Sequence, residues 1–518
     1  MPDNPARVCA VITEETCEAA RLAMNRAAGV ADMIELRLDY LRDFDFANPD
    51  NLRALLRDKS IPIIITCRAV SEGGKQFVEN NVRLRLLVEG ARHLADYCDI
   101  EAAHYSEAAR LSPELSRLIV SYHNFDETPA EIDSIYDRIT VLPAAIHKIA
   151  VRANSITDTL AVFRLLDRAQ IEGRKLIALS MQEPGLITRV LGPVAGSFLT
   201  YASIEQGKES APGQVSCEQL RDLYRIHRIS RETVITGIIG HPVTHSASPA
   251  MHNRAFAVAG LDCVYLPMET NDAEEFFTRF VKRSSRDIDW RLRGFSVTIP
   301  HKTAIVRFLD EVDATAAKVG AVNTVVINNG KLIGYNTDVE GAMKPIDRLC
   351  ALKDMDCGVI GAGGAARAVV SGLMERGARV SLFARDASKA SAISESFNIP
   401  LHSIESLVSS NVRIIINTTP VGMKGHSEAS SPVPREAFRN RRIAYDLVYN
   451  PLETRFLKEA REEGCQTIGG IEMLIEQAAM QFELWTGRRP PADLMRAAAL
   501  EKLGAEASTS LLPAPPTP

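Results

Sequence analysis

Long apolar runs are missing from this chain. No stretch approaches the roughly 20 consecutive apolar residues that a membrane span needs, and the opening MPDNPARVCAVITEE has no apolar signal core. Positive charge is not in excess either: the net charge is −5 with no basic run, which argues against nucleic acid as a partner. The nine cysteines are scattered and include no CxxC pair. An odd, unpatterned set of that kind gives no disulfide or zinc framework and fits a reducing compartment. The expected location is therefore the cytoplasm, or an organelle stroma if a transit peptide has been removed. What is present is a globular composition, 46% apolar and 24% charged over 518 residues. That length is too great for one hydrophobic core and suggests roughly three domains.

Residues 1–228 carry short apolar, β-branched runs separated by helical segments. Strands are expected near Val8–Thr13, Met33–Leu38, Ile61–Cys67, Tyr97–Ala102, Arg117–Tyr122, Ala144–Val151, Lys175–Met181 and Phe198–Ile204. Amphipathic stretches such as Asn81–Leu94 and Ser155–Glu172 lie between them. Eight strands alternating with helices over about 230 residues is the pattern of a (β/α)8 TIM barrel, whereas an open doubly wound sheet would carry fewer strands at this length. A polar segment, Asp222–Glu232, then leads to a new strand at Thr233–Gly240. Residues 233–337 form a second α/β region without phosphate-loop glycines. A third, 338–470, opens its strands at Met355, and the helical stretch 471–503 is expected to pack back on the second. The Pro-rich tail, 504–518, is expected to be disordered.

Active sites of such barrels lie at the C-terminal ends of the strands, and here nearly every expected strand ends in a polar residue. These are Glu35 and Arg37, Arg68 followed by Glu72-Gly73-Gly74, Glu101, His123, Lys148, Arg189, and Ser210-Ala-Pro-Gly-Gln214. A buried lysine flanked by apolar residues is costly unless its charge is lowered or paired, and desolvation makes it an amine nucleophile toward a ketone. Each residue alone has an ordinary structural reading: a strand lysine in an ion pair, a hydrogen-bonded histidine, a salt-bridge ring at the barrel mouth. Their convergence on one rim is harder to explain that way.

In order and spacing, Glu35-Leu-Arg37, Thr66-Cys-Arg68 with Glu-Gly-Gly, Ser121-Tyr-His123-Asn-Phe with Thr128-Pro129, Lys148-Ile-Ala and Ser210-Ala-Pro-Gly-Gln214 resemble type I 3-dehydroquinate dehydratases, over about residues 6–228. The resemblance implies a Schiff base between Lys148 and the C3 ketone of 3-dehydroquinate. It implies that His123 removes a C2 proton and protonates the leaving C1 hydroxyl, with Glu101 orienting His123. Arg189 would hold the substrate carboxylate, with Glu35, Arg37, Arg68, Ser210 and Gln214 completing the pocket, and no metal is required. Asn124 departs from the aspartate expected after the histidine.

Gly361-Ala362-Gly363-Gly364-Ala365-Ala366 fits GxGxxA after a strand (Cys357–Ile360) and before a helix (Ala365–Arg376), the context in which glycines let a backbone approach a pyrophosphate. The next strand ends in Ala384-Arg385-Asp386. Arg385, with Lys389 nearby, suits a 2′-phosphate and favours NADP (NADPH) over NAD, a preference that Asp386 weakens. Polar strings mark the second region: His245-Ser246-Ala-Ser248-Pro249, Ser296-Val-Thr298 with Lys302, Asn323-Thr324 and Asn336-Thr337-Asp338. With Asn417-Thr418-Thr-Pro, Asp446-Leu-Val-Tyr449 and Met473-Leu-Ile-Glu-Gln477 they resemble shikimate dehydrogenase, over about residues 234–503.

That resemblance implies a Rossmann NADP-binding domain. It makes Lys302 and Asp338 the catalytic pair for reducing 3-dehydroshikimate, with Ser246 and Ser248 on the carboxylate and Thr298, Asn323, Tyr449 and Gln477 completing the pocket. Thr418 and Gly470 would border the cofactor. Ser296 departs from the family's asparagine, and Ala384-Arg385-Asp386 from its Asn-Arg-Thr. The expected protein is thus a bifunctional enzyme, lyase and oxidoreductase, taking 3-dehydroquinate to shikimate for chorismate and aromatic amino acid biosynthesis. Two alternatives stand beside it: a fusion whose dehydrogenase prefers NAD and takes quinate or shikimate, and a non-catalytic quinate-sensing protein resembling fungal repressors.

Overall fold

The computed structural model describes residues 6–111, 116–282, 291–425 and 427–509. Contacts divide them into two compact units. The first is built on the described residues of Met1–Ile235, Pro242–Thr244 and Leu266–Arg291, the second on those of Thr236–His241, His245–Tyr265 and Leu292–Pro518.

The first unit is an eight-stranded parallel barrel. Its strands are β1 (Val8–Ile12), β2 (Met33–Arg37), β3 (Ile63–Thr66), β4 (Tyr97–Glu101), β5 (Leu118–Asn124), β6 (Ile146–Arg152), β7 (Leu176–Met181) and β8 (Thr200–Ser203), ordered β7-β6-β5-β4-β3-β2-β1-β8. The two ends of that order meet at a parallel bridge, Leu176 to Ser197, where the Phe198 amide donates to the Leu176 carbonyl at 2.8 Å. β1 reads Val-Cys-Ala-Val-Ile and is buried on both faces, as parallel strands covered by helices must be. Alternation then sorts the side chains. Cys9, Val11, Ile64, Ile119, Ile146, Ile177, Leu179 and Tyr201 belong to one apolar cluster. Lateral pairing sets Val11 beside Glu35, Ser121 beside Lys148 and Lys148 beside Ile177, so polar residues of the same parity share that interior.

Two further sheets follow along the chain. One is mixed, ordered β10-β9-β11-β13-β14-β12, from β9 (Val234–Gly240), β10 (Cys263–Glu269), β11 (Leu292–Val297), β12 (Glu311–Val312), β13 (Thr324–Asn328) and β14 (Lys331–Tyr335). The other is parallel, from β15 (Asp356–Ile360), β16 (Arg379–Ala384), β17 (Leu401–Ser403), β18 (Ile414–Asn417), β19 (Ile443–Asp446) and β20 (Gln466–Ile468). Its order, β17-β16-β15-β18-β19-β20, is the doubly wound Rossmann order with its switch point between β15 and β18. Helix Asp338–Asp347 packs against helices Gly364–Glu375 and Gly470–Thr486. The close approach needs glycine on two sides: a Cβ at Gly341 would stand 2.8 Å from Cβ of Gln477, and one at Gly372 would stand 2.5 Å from Cγ of Met343.

Two features differ from the sequence reading. The three-residue strands β17 and β20 are too short to carry a period. The last helix, Ala492–Thr509, runs past Gly504, where disorder was expected to begin. Ala505, Glu506 and Ala507 are good helix formers, and one glycine costs a helix only about 1 kcal/mol. The rest of the expected tail, 510–518, lies outside the described residues.

Gly470, the first residue of its helix, is buried against backbone: a Cβ there would stand 2.4 Å from the Leu447 carbonyl oxygen. A backbone carbonyl just past β19 cannot yield as a flexible side chain would. Gly470→Ala should therefore destabilise the second unit by about 1–3 kcal/mol, seen as a lower midpoint of thermal unfolding; an unchanged midpoint would show that the backbone at 447 relaxes freely.

Candidate active sites

Inside the barrel, Lys148 projects from the middle of β6 and is only 5% exposed. A buried cation of that kind needs partners, and it has them. Its Nζ lies 3.0 Å from Oδ2 of Asp99 and 3.9 Å from Oε1 of Glu35. Glu35 also accepts from the Thr66 hydroxyl at 2.7 Å. Asp99 is wholly buried and serves two cations, since Arg68 Nη1 reaches its Oδ1 at 2.8 Å and the Ser121 hydroxyl donates to the same oxygen at 2.6 Å. Burial pushes this carboxyl up, but the Arg68 and Lys148 charges outweigh it and hold it well below the usual carboxylate range. The sequence reading did not name Asp99. Its signal was parity: it stands two residues before Glu101 on β4 and so faces the same interior.

His123, two residues beyond Ser121 on β5, is paired differently from expectation. Its Nδ1 lies 2.9 Å from Oε2 of Glu72, in the turn after β3, and its ring stacks on Phe125 with centroids 6.1 Å apart. Glu101 does not orient it. That carboxylate is taken by Arg83 at 2.7 Å, Arg68 at 3.3 Å and the Ala69 amide at 2.9 Å, which hold the loop leaving β3. Burial and then the Arg68 and Lys148 charges keep the His123 imidazole well below its ordinary value, so it is neutral. Burial pushes the Glu72 carboxyl up to about 7.

Arg189 stands apart from these pairs. It is 1% exposed, its Nε and Nη2 have no hydrogen-bond partner among the described residues, and Nη1 reaches only the Tyr201 carbonyl, at 3.4 Å. Burial lowers it to about 10. A buried guanidinium left this bare suits an anion with two oxygens. Arg37 is instead clamped in a fork by Asp39, at 2.9 and 2.8 Å. Ser210 and Gln214 close on each other, the Ser210 amide donating to Oε1 of Gln214 at 2.8 Å. The departure at Asn124 is explained locally: its side-chain oxygen caps the Asp126 and Glu127 amides at 2.9 and 3.0 Å.

In the second unit, Lys302 Nζ lies 2.6 Å from Oδ2 of Asp338, the first residue of its helix. Asn323 fixes the other carboxylate oxygen at 2.7 Å and also accepts from the Thr337 amide at 2.8 Å. Ser248 opens helix Ser248–Val258, and its amide donates to the Ser246 hydroxyl at 3.2 Å, so both hydroxyls stand at a helix N-terminus. Thr298 lies just past β11, its amide bonded to the Ile239 carbonyl at 2.9 Å. Ser296 bridges Tyr265 and Gln481, at 2.7 and 2.9 Å, which gives the departure there a structural use. Tyr449 is half-buried beyond β19. The Gln477 side-chain amide bonds its own helix at Leu474, while its Cβ and backbone lie against Gly341, one turn from Asp338.

The loop Gly361–Gly364 lies at the switch point. Gly361 has φ +119°, and a Cβ there would stand 2.6 Å from Oγ1 of Thr418. Beside Gly363 a Cβ would meet nothing within 4 Å, which leaves a cradle at the N-terminus of helix Gly364–Glu375 that fits a pyrophosphate. Ala362 and Ala365 flank it, half-buried. A Cβ at Gly364 would stand 3.7 Å from Cδ of Lys302, so cradle and lysine adjoin. β16 ends at Ala384; Arg385 and Lys389 are exposed beyond it. Asp386 caps the following helix, accepting from the Ser388 amide at 3.0 Å and its hydroxyl at 2.6 Å. One oxygen of its carboxylate is thus used in the cap. Gly470 meets the backbone of 447–448 and leaves no room for a side chain. Among the described residues no group of three or more His, Cys, Asp or Glu could hold a metal ion, and no helix is long and apolar enough to cross a membrane.

Comparison with known proteins matches residues 8–231 to the type I 3-dehydroquinase model, 238–325 to the shikimate dehydrogenase substrate binding domain and 470–500 to the shikimate 5′-dehydrogenase C-terminal domain. The chain is 34% identical over 518 residues to the chloroplastic bifunctional 3-dehydroquinate dehydratase/shikimate dehydrogenase of Arabidopsis thaliana, covering 95% of this chain and 84% of that one. It is 40% identical over 283 residues to the shikimate dehydrogenase (NADP(+)) of Methanococcus aeolicus, covering 53% of this chain and 100% of that one. A solved structure, dehydroquinate dehydratase and shikimate dehydrogenase from S. pombe, aligns at 25% identity and TM-score 0.43, covering 96% of this chain and 98% of that one.

The His123–Glu72 pair sets a tautomer. Ionised Glu72 accepts the Nδ1 proton and leaves Nε2 a free base; protonated Glu72 donates to Nδ1 and leaves the proton on Nε2. Nitrogen-15 spectra of labelled histidine should show His123 carrying its proton on Nε2 below about pH 7 and on Nδ1 above it, a transition that Glu72→Gln should abolish. A His123 tautomer indifferent to pH would mean the pair is only structural.

Proposed function

This chain belongs to the bifunctional 3-dehydroquinate dehydratase/shikimate dehydrogenase family, and we propose that Lys148 carries its first reaction and Lys302 its second. The protein dehydrates 3-dehydroquinate to 3-dehydroshikimate and reduces that product to shikimate, consecutive steps of the shikimate pathway. The observation that carries the residue assignment is that in each unit a lysine is clamped by a buried carboxylate, Lys148 by Asp99 and Lys302 by Asp338.

In the barrel, Lys148 Nζ adds to the C3 ketone, and loss of water leaves an iminium. Neutral His123 takes a C2 proton through Nε2; the iminium draws the electrons of that bond, so imidazole is base enough. The imidazolium then protonates the C1 hydroxyl, which leaves as water, and hydrolysis frees the lysine. Glu72, on Nδ1, positions the base and steadies its charge. The bare guanidinium of Arg189 takes the substrate carboxylate, with Glu35, Arg37, Arg68, Ser210 and Gln214 toward the hydroxyls.

In the second unit, Lys302 donates a proton to the C3 oxygen of 3-dehydroshikimate while Asp338 orients it. When bound, NADPH supplies the hydride to C3. Ser246 and Ser248 meet the carboxylate at their helix N-terminus, and Thr298, Asn323, Tyr449 and Gln477 line the rest. Residues 1–228 form the dehydratase domain, 233–337 with 471–503 the substrate-binding domain, and 338–470 the Rossmann domain with Gly361–Ala365 on the pyrophosphate and Thr418 and Gly470 beside it. Arg385, with Lys389, takes the 2′-phosphate, a reading supported by the use of Asp386 as a helix cap.

Purified protein given 3-dehydroquinate and NADPH should oxidise the nucleotide and release shikimate. Lys148→Ala should stop this from 3-dehydroquinate but not from supplied 3-dehydroshikimate; oxidation unaffected by the change would exclude Lys148. Arg385→Ala should raise KM for NADPH about tenfold or more and leave KM for NADH nearly unmoved, whereas equal changes would remove Arg385 from the phosphate.

A further inference from the structure

Lys148 has a third neighbour besides its two carboxylates. Its Nζ stands 4.4 Å from the centre of the Tyr201 ring. Tyr201 lies on β8, is 4% exposed and belongs to the apolar cluster that fills the barrel. Its hydroxyl is buried and makes no hydrogen bond among the described residues. The ring, and not the phenol oxygen, is therefore what the side chain offers to the lysine. We propose that the face of Tyr201 keeps the Schiff base on Lys148 protonated throughout dehydration. This rests on Lys148 forming that Schiff base.

When the amine adds to the ketone, the Nζ–C3 bond forms; the C3–O bond then breaks, the oxygen leaves as water, and the nitrogen keeps one hydrogen and the positive charge. That cation draws the electrons of the C2–H bond. A neutral imine, having lost the hydrogen, is a far weaker sink. Beyond Glu35 at 3.9 Å, two groups at Nζ hold the proton. Asp99 is one, but its charge is divided, with Arg68 at 2.8 Å and Ser121 at 2.6 Å on the oxygen it turns away from the lysine. The ring is the other. Its quadrupole attracts a cation over its face without bearing net charge, so nothing else in the pocket neutralises it, and dry surroundings strengthen the attraction. Burial pushes the Tyr201 hydroxyl well up, so the ring stays a neutral phenol and no second anion forms beside Asp99.

The test is the full chain carrying Tyr201→Phe, and then 4-fluoro-, 3,5-difluoro- and 3,4,5-trifluorophenylalanine at the same position. Each fluorine drains the ring face with little change in volume, so folding is matched across the series. Dehydration is followed at saturating 3-dehydroquinate across pH, and borohydride is added with substrate to trap the imine. The basic limb of kcat should move to lower pH with each fluorine, by about one unit from phenylalanine to the trifluoro ring, a roughly tenfold fall in rate above the limb. A limb that stays put, while borohydride still adds substrate mass to Lys148 in every protein, overturns the role of the ring alone. No added mass on Lys148 in any of them removes the Schiff base, and the proposal with it.

Discussion

Asp99 is the group on which the first unit depends. Two cations from different parts of the chain, Lys148 on β6 and Arg68 beyond β3, are buried beside each other, and this carboxylate lies between them. Two such charges taken out of water without a counter-ion would be expensive enough to unfold a barrel. With Asp99 in place they become useful. Together with burial, their field keeps the His123 imidazole well below its ordinary value. The second unit uses the same device more loosely. Asp338 is gripped by Asn323, but the Lys302 side chain keeps 20% of its exposure. On the proposed roles, a lysine that gives up a proton in each turnover gains from contact with water, and one that forms a covalent bond in a dry pocket gains from its absence.

Most of this architecture was legible in the residues. Eight buried runs gave the barrel because parallel strands covered on both faces are apolar throughout, and the glycine run gave the dinucleotide fold because it stood between a strand and a helix. What could not be read was which carboxylate meets which cation. Glu101 sits at a strand end, where chemistry is expected, yet it is drawn to Arg83 and the Ala69 amide. Glu72 sits in a turn, where a carboxylate is usually solvated, yet it folds back onto His123. Strand parity fixes the face of a side chain, while loop closure decides its partner. Parity alone would have found Asp99.

The departures from family pattern resolve in the same local terms. Asn124 and Asp386 are each spent on capping nearby amides, and Ser296 joins Tyr265 to Gln481.

Arg189 carries a wider consequence. Its guanidinium is enclosed and largely unanswered by the described residues, so an anion that paired with it would meet a charge already out of water. Binding to the native state alone shifts folding by mass action. A ligand whose carboxylate paired with Arg189 would therefore also hold the barrel against unfolding, and its supply would bear on how long the folded chain lasts.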